Sequence, residues 1–185
     1  LATHGTQWVF RGLTYIVTDA RPLFAADIPD AKVKAQFEFF GASRVGASVS
    51  FYGIPISVLI MIGLAIVLGI VLSMTSYGRK LYACGSNAEA ARLSGINVVR
   101  TRMIMYVICG ITASIAGVIT ASRASSAQPT AGVGYEFQAI IASVLGGVSM
   151  SGGEGNIVNT VIGALIMGIM RNGMNVCGIN TYWQQ

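Results

Sequence analysis

Two stretches without a charge fix the class of fold. No Asp, Glu, Lys or Arg occurs in residues 45–78, and none occurs in residues 103–122. Each run is long enough for a helix of about 20 apolar residues, the length that crosses a hydrocarbon core of about 30 Å. Charged residues make up only 10% of the chain, whereas a soluble domain carries about 25%. The remaining charge is clustered between the apolar runs. The net charge of +5 does not point to nucleic acid, because the basic residues sit at the edges of the runs. Positive charge there marks the cytoplasmic side of a membrane protein.

The polar insertion between the runs, residues 77–102, holds five of the twelve basic residues: Arg79, Lys80, Arg92, Arg100 and Arg102. The positive-inside bias places it in the cytoplasm. Within it a short helix is expected over residues 87–94, from Asn87 to Ser94. Ser86 and Glu89 have the S-x-x-E spacing of a capping box. Ala88, Ala90, Ala91 and Leu93 favour helix, and Gly95 suits the left-handed residue that ends one. A helix about 12 Å long is not stable alone in water. It is either a loop helix packed on its own protein or a docking helix for a soluble partner. In the docking reading, Ala88, Ala91 and Arg92 share the face that meets the partner.

Further spans are expected over residues 1–17, 54–74, 103–121 and 157–175. The first is interrupted by His4 and Arg11, as at the end of a span or in an interfacial helix. The segment 54–74 is apolar all round and faces lipid. The segment 103–121 carries the small-residue stripe Ala113, Gly117 and Ala121, which suits close helix packing. Residues 19–50 carry charges of mixed sign and are interrupted by Pro22 and Pro29, which suits the outer side. Their cluster Phe37, Phe39 and Phe40 reads as an interfacial anchor or local packing. Residues 123–135 form a turn-rich outer connector.

Residues 136–148 are apolar but span only about 20 Å as a helix. They run into Gly146, Gly147, Gly152, Gly153 and Gly155. The expected arrangement is a half-helix, a tight turn and a return helix. Irregular backbone at membrane depth is tolerated only when buried in protein or lining a water-filled cavity, and broken helices of this kind mark transport sites. Close packing of glycines is the competing reading, and both stay open. The return helix carries a second small stripe, Thr160, Ala164 and Gly168. Near its outer end lies Arg171, expected to snorkel to the interface.

Catalytic chemistry finds no support. Cys84, Cys109 and Cys177 are odd in number and widely spaced, and fit neither a disulfide framework nor a zinc site. His4 is the single histidine. No Ser/His/Asp set occurs, and the glycines lack the Lys-Ser/Thr of a phosphate-binding loop. No catalytic residue, cofactor site or metal site is expected. If ATP drives this protein, the ATPase is another subunit.

The segment GRKLYACGSNAEAARLSGINV resembles the cytoplasmic loop of ribose-type sugar permeases of ATP-binding cassette importers. The resemblance continues through Ser126, Gln128, Pro129, Gly132, Gly134 and Glu136, then Leu145, Gly146, Gly147, Ser149, Gly152, Gly153 and Gly155. The pair Arg11-Gly12 matches the end of the family's preceding helix. The fold it implies is an all-α polytopic membrane helix bundle with a re-entrant half-helix and a short cytoplasmic coupling helix. The chain, opening at Leu1 without Met, is expected to be a fragment of a larger permease. The implied protein is a multi-pass subunit of the bacterial inner membrane that forms the pathway for a monosaccharide. Its implied partners are ATPase subunits, a periplasmic sugar-binding protein, a second permease subunit and membrane lipid, with no nucleic acid. By position, Ser86, Asn87, Ala88, Glu89, Ala91, Arg92, Ser94 and Gly95 correspond to the coupling element. The five glycines correspond to the re-entrant turn or pathway. A secondary transporter or channel, or a membrane scaffold, is the alternative.

Overall fold

A computed structural model describes residues 2–42, 44–45, 53–178 and 180. Leu1, the aromatic pair Tyr182 and Trp183, and most of residues 43–52 lie outside them. The chain divides into two units, Leu1–Met61 with Cys109–Val133, and Ile62–Ile108 with Gly134–Gln185.

The first unit begins with helix α1, Ala2–Val17, where the Arg11 guanidinium lies 5.6 Å from the centre of the Trp8 ring. The proline-interrupted segment then makes the two-residue strand β1, Leu23–Phe24, and a single 3-10 turn. Pro29 does not end helical structure here. Asp30 follows it and caps helix α2, Ala31–Ala42, its Oδ1 accepting from the Lys32 N–H at 2.8 Å. An Asx cap of this kind satisfies one of the orphan donors of a helix start. A second strand, β2, Arg44–Val45, pairs antiparallel with β3, Ile54–Pro55.

Strand β1 pairs antiparallel with β4, Ser126–Ala127, in the register Leu23↔Ala127 and Phe24↔Ser126. The segments around 19–50 and 123–135, both expected on the outer side, are thus joined by backbone hydrogen bonds. Ser122, 1% exposed, strengthens the junction by donating its hydroxyl to the Phe37 carbonyl. Gly41 sits against the backbone of Ser122 and Arg123 so closely that a Cβ has no room.

Among the described residues, three helices are long and apolar enough to cross a membrane: α3, Ile56–Met74, α6, Val98–Arg123, and α8, Ile157–Val176. Their lengths are about 28, 39 and 30 Å at 1.5 Å per residue. No residue of α3 is buried. The helix α6 starts five residues before the expected 103. Asn97 caps it, its Oδ1 accepting from the Arg100 N–H at 2.9 Å, and this draws Arg100 and Arg102 into the first turns. A Cβ built at Gly110 or Gly117 meets nothing within 4 Å among the described residues. The stripe expected to pack in a bundle is therefore open.

In the second unit, the insertion between α3 and α6 holds two helices rather than one: α4, Ser76–Ser86, and α5, Ala88–Leu93. The half-helix α7, Tyr135–Leu145, is about 16 Å long and packs against α8.

Candidate functional site

The polar insertion is built from caps. Thr75 opens α4, its hydroxyl oxygen accepting from the Gly78 N–H at 3.3 Å. Gly78 has no space for a side chain, because its Cβ falls 2.9 Å from the Leu72 Cα. The sharp corner between α3 and α4 depends on that missing atom. At the other end, the Tyr77 hydroxyl donates to the Thr101 carbonyl at 3.0 Å, which ties the start of α4 to the start of α6. Burial, with Cys84 nearby, raises the Tyr77 phenol above its ordinary pKa.

Asn87 closes α4 and opens α5. Its Oδ1 accepts from the N–H of Glu89 and of Ala90, both at 3.0 Å. The capping residue is therefore Asn87 and not Ser86, which is the last residue of α4. The S-x-x-E spacing misled by one position, because Asn is as good a cap as Ser and was next in line. The other end is a Schellman motif. Ile96 N–H donates to the Ala91 carbonyl and Gly95 N–H to the Arg92 carbonyl, each at 3.0 Å, with Gly95 at φ +81°. Ser94 donates its hydroxyl to the Ala90 carbonyl at 2.9 Å. Six residues thus carry caps at both termini, which offsets their shortness.

The two faces of α5 differ. Ala91 is 4% exposed and Ala88 half-buried, so this face seats the helix on its own protein, beside α4. Glu89, Ala90, Arg92 and Leu93 point outward, with Leu93 84% exposed. Ala91, expected on the docking face, is on the seat. Helical spacing grouped Ala88 with Ala91 correctly, yet it could not say which side faces the protein. Arg92 and Glu89 approach to 4.0 Å as an exposed ion pair, which adds little stability.

The glycine turn joins α7 to α8. Gly147, Gly152 and Gly153 have φ of +84°, +88° and +80°, a region open to glycine at little cost. Val148 N–H donates to the Ser143 carbonyl and Gly147 N–H to the Val144 carbonyl, so α7 also ends in a Schellman motif. Asn156 caps α8 through the Val158 N–H at 2.9 Å. Gly146 and Gly163 let the helices meet. A Cβ at Gly146 falls 2.8 Å from the Thr160 Cα, and one at Gly163 falls 2.7 Å from the Gly146 nitrogen. The close face of α8 thus runs through Thr160 and Gly163. Gly168, expected in the stripe, meets nothing within 4 Å among the described residues.

Arg171 bridges the two helices of the hairpin. It donates from Nη1 to Gln138 Oε1 at 2.7 Å, linking α8 to α7.

The structure brings the end of α4 and the glycine turn together, which the sequence did not reveal. A Cβ at Gly85 falls 2.5 Å from the Gly153 nitrogen, and one at Gly152 falls 2.8 Å from the Gly85 oxygen. Gly153 lies equally close to the Ser86 backbone. The Tyr82 hydroxyl donates to the Gly155 carbonyl at 2.6 Å. Local spacing marks Gly85 only as part of the polar insertion. Its signal was the pairing of a small residue in one segment with glycines in another.

Apolar helices of membrane length, with a half-length helix returning through a glycine turn, define an all-α polytopic membrane protein. The chain belongs to the family of permease components of the branched-chain amino acid transport system, whose family model matches residues 1–185. It is similar to the ribose import permease protein RbsC of Bacillus subtilis (strain 168), 42% identical over 184 residues. It is also similar to RbsC of Escherichia coli (strain K12), at 44%. The L-arabinose transport system permease protein AraH of Escherichia coli (strain K12) is 39% identical. Each match covers 100% of this chain and 54%, 54% and 52% of the relative. The chain therefore spans about half the length of the curated relatives it matches. No solved structure matches it.

Proposed function

We propose that this chain is part of the pathway-forming permease subunit of an ATP-binding cassette importer for a ribose-type monosaccharide. The subunit sits in the bacterial inner membrane with its basic insertion in the cytoplasm. Separate ATPase subunits bind at α5, a periplasmic sugar-binding protein docks on the opposite side, and a second permease subunit completes the pathway. The observation that carries this reading is the form of α5. A six-residue helix is capped at both ends and seated by Ala91, and it presents Leu93 outward beside Glu89 and Arg92. An exposed leucine flanked by charges on a preorganised helix suits a soluble partner better than it suits water. Relatives named for ribose and arabinose transport support the sugar. The family's name raises a branched-chain amino acid as the alternative substrate.

The test uses the full-length permease in proteoliposomes with its ATPase and binding protein. Uptake of D-ribose is expected and uptake of L-leucine is not. Leu93→Asp, on an exposed site, is expected to leave the permease inserted while ATPase retention, ATP hydrolysis and uptake fall together. Full ATPase retention with Leu93→Asp removes α5 as the contact. Leucine uptake without ribose uptake removes the sugar assignment alone.

A further inference from the structure

We infer that the contact between the end of α4 and the glycine turn transmits motion from α5 to the α7–α8 hairpin, with Tyr82 and Gly85 as positioning residues. The inference rests on reading α5 as the ATPase contact. Three features carry it. The first is distance along the chain. Asn87 is the cap of both α4 and α5, so a displacement of α5 reaches Ser86 and Gly85 through a single shared residue. The second is the character of the contact. Between Gly85 and residues 152–153 no side chain intervenes, and backbone meets backbone at distances a Cβ would close. A side chain absorbs a displacement by changing rotamer, whereas two backbones in contact have no such freedom.

The third feature is that the contact holds in tension as well as compression. The Tyr82 O–H···O=C bond to Gly155, at 2.6 Å, resists separation, as the glycine contact resists approach. Beyond the turn, the hairpin moves as a piece. Gly146 and Gly163 are pressed together, and Arg171 is bonded to Gln138. The positive-φ glycines fix the turn in a shape that few other residues adopt. Motion entering at residues 152–155 therefore arrives at the far end of α8, where exposed Cys177 forms the C-cap.

The experiment uses the full-length permease reconstituted with its ATPase, with Cys109 and every accessible cysteine outside these residues replaced by alanine so that Cys177 alone is labelled. The rate of maleimide labelling at Cys177 is measured with and without trapping by ATP and vanadate. Trapping is expected to change the rate in the unaltered permease. In Tyr82→Phe and Gly85→Ala the ATPase is expected to stay bound while that change shrinks about fivefold, a factor within reach of one lost hydrogen bond. The inference is overturned if both variants keep the full change, or if trapping does not alter Cys177 in the unaltered permease. Should Gly85→Ala fail to assemble, Tyr82→Phe, which removes one hydroxyl, decides alone. Leu93→Asp separates the two levels. If it leaves ATPase binding and the labelling change intact, α5 is not the contact and the underlying reading falls with the inference. If it releases the ATPase while Tyr82→Phe has no effect, only the transmission route falls.

Discussion

Replacing Gly163 with alanine adds one methyl group at the tightest point of the α7–α8 hairpin. The new Cβ would lie 2.7 Å from the Gly146 nitrogen and 3.1 Å from its Cα, well inside ordinary contact. The obstacle is backbone, so it cannot step aside as a side chain does. The helices must separate, at a cost of about 1–3 kcal/mol for overpacking. Separation also strains the bond from Arg171 to Gln138 at 2.7 Å, and a hydrogen bond to a charged group contributes about 1.5–3 kcal/mol. Against this, alanine gains about 1 kcal/mol over glycine in a helix interior. The net expectation is a loss of about 1.5–5 kcal/mol. Gly168 supplies the control on the same helix, since its Cβ meets nothing within 4 Å. Gly168→Ala keeps the propensity gain without the clash. Equilibrium unfolding of the purified full-length permease, titrated from mild detergent into SDS, reads both variants. Equal stability of the two would refute the close approach of α7 and α8, and with it the packing role given to Gly146.

Four further outcomes are expected. Asn87→Ala removes the α5 cap and costs about 1 kcal/mol, seen as weaker ATPase retention, whereas Ser86→Ala leaves retention unchanged; the reverse order would restore Ser86 as the cap. Gly153→Val meets both a positive φ and the Ser86 backbone, so it should abolish assembly in the membrane, while Gly69→Val, in open space, should not; matched expression levels would contradict this. An impermeant thiol reagent applied from outside should label Ala131→Cys and spare Ala90→Cys, both being exposed residues, and the opposite pattern would invert the topology. The raised pKa of Tyr77 means the folded state holds that proton where the unfolded chain has released it. Its contribution to stability is complete below pH 10 and is lost as pH rises from there through the folded pKa. Alkaline unfolding of Tyr77→Phe should lack that component, and an unchanged alkaline profile would refute it.

The long apolar elements were legible because absence of charge is a strong signal over twenty residues. Helices Ile56–Met74 and Ile157–Val176 lie within two residues of the segments read from sequence. The errors fall where a short polar side chain decides a boundary. Asp30, Asn87 and Asn97 each set a helix start that hydrophobic patterning alone did not place. Helix α4 is short and carries two glycines, each unfavourable in a helix interior, so it read as loop. In the candidate site, both glycine-rich and coupling segments were legible, but their meeting was not. Contact between Gly85 and Gly153 depends on how the chain folds back, which local spacing does not encode. The open stripe on α6 shows the same limit from the other side, since small residues announce close packing without naming what packs.

The ribbon between β1 and β4 also sets an order of manufacture. Leu23 and Phe24 leave the ribosome before their partners Ala127 and Ser126, which follow roughly 100 residues later. At about 5–20 residues per second, that is a wait of about 5–20 s. During it, Leu23 and Phe24 hold unpaired backbone groups beside exposed apolar side chains, the kind of edge that recruits wrong partners. The interval includes the whole of α3 through α6. Synthesis of those helices must therefore precede completion of the ribbon. A nascent chain halted short of residue 126 should be cleaved by protease near residue 24, and one released beyond residue 127 should resist.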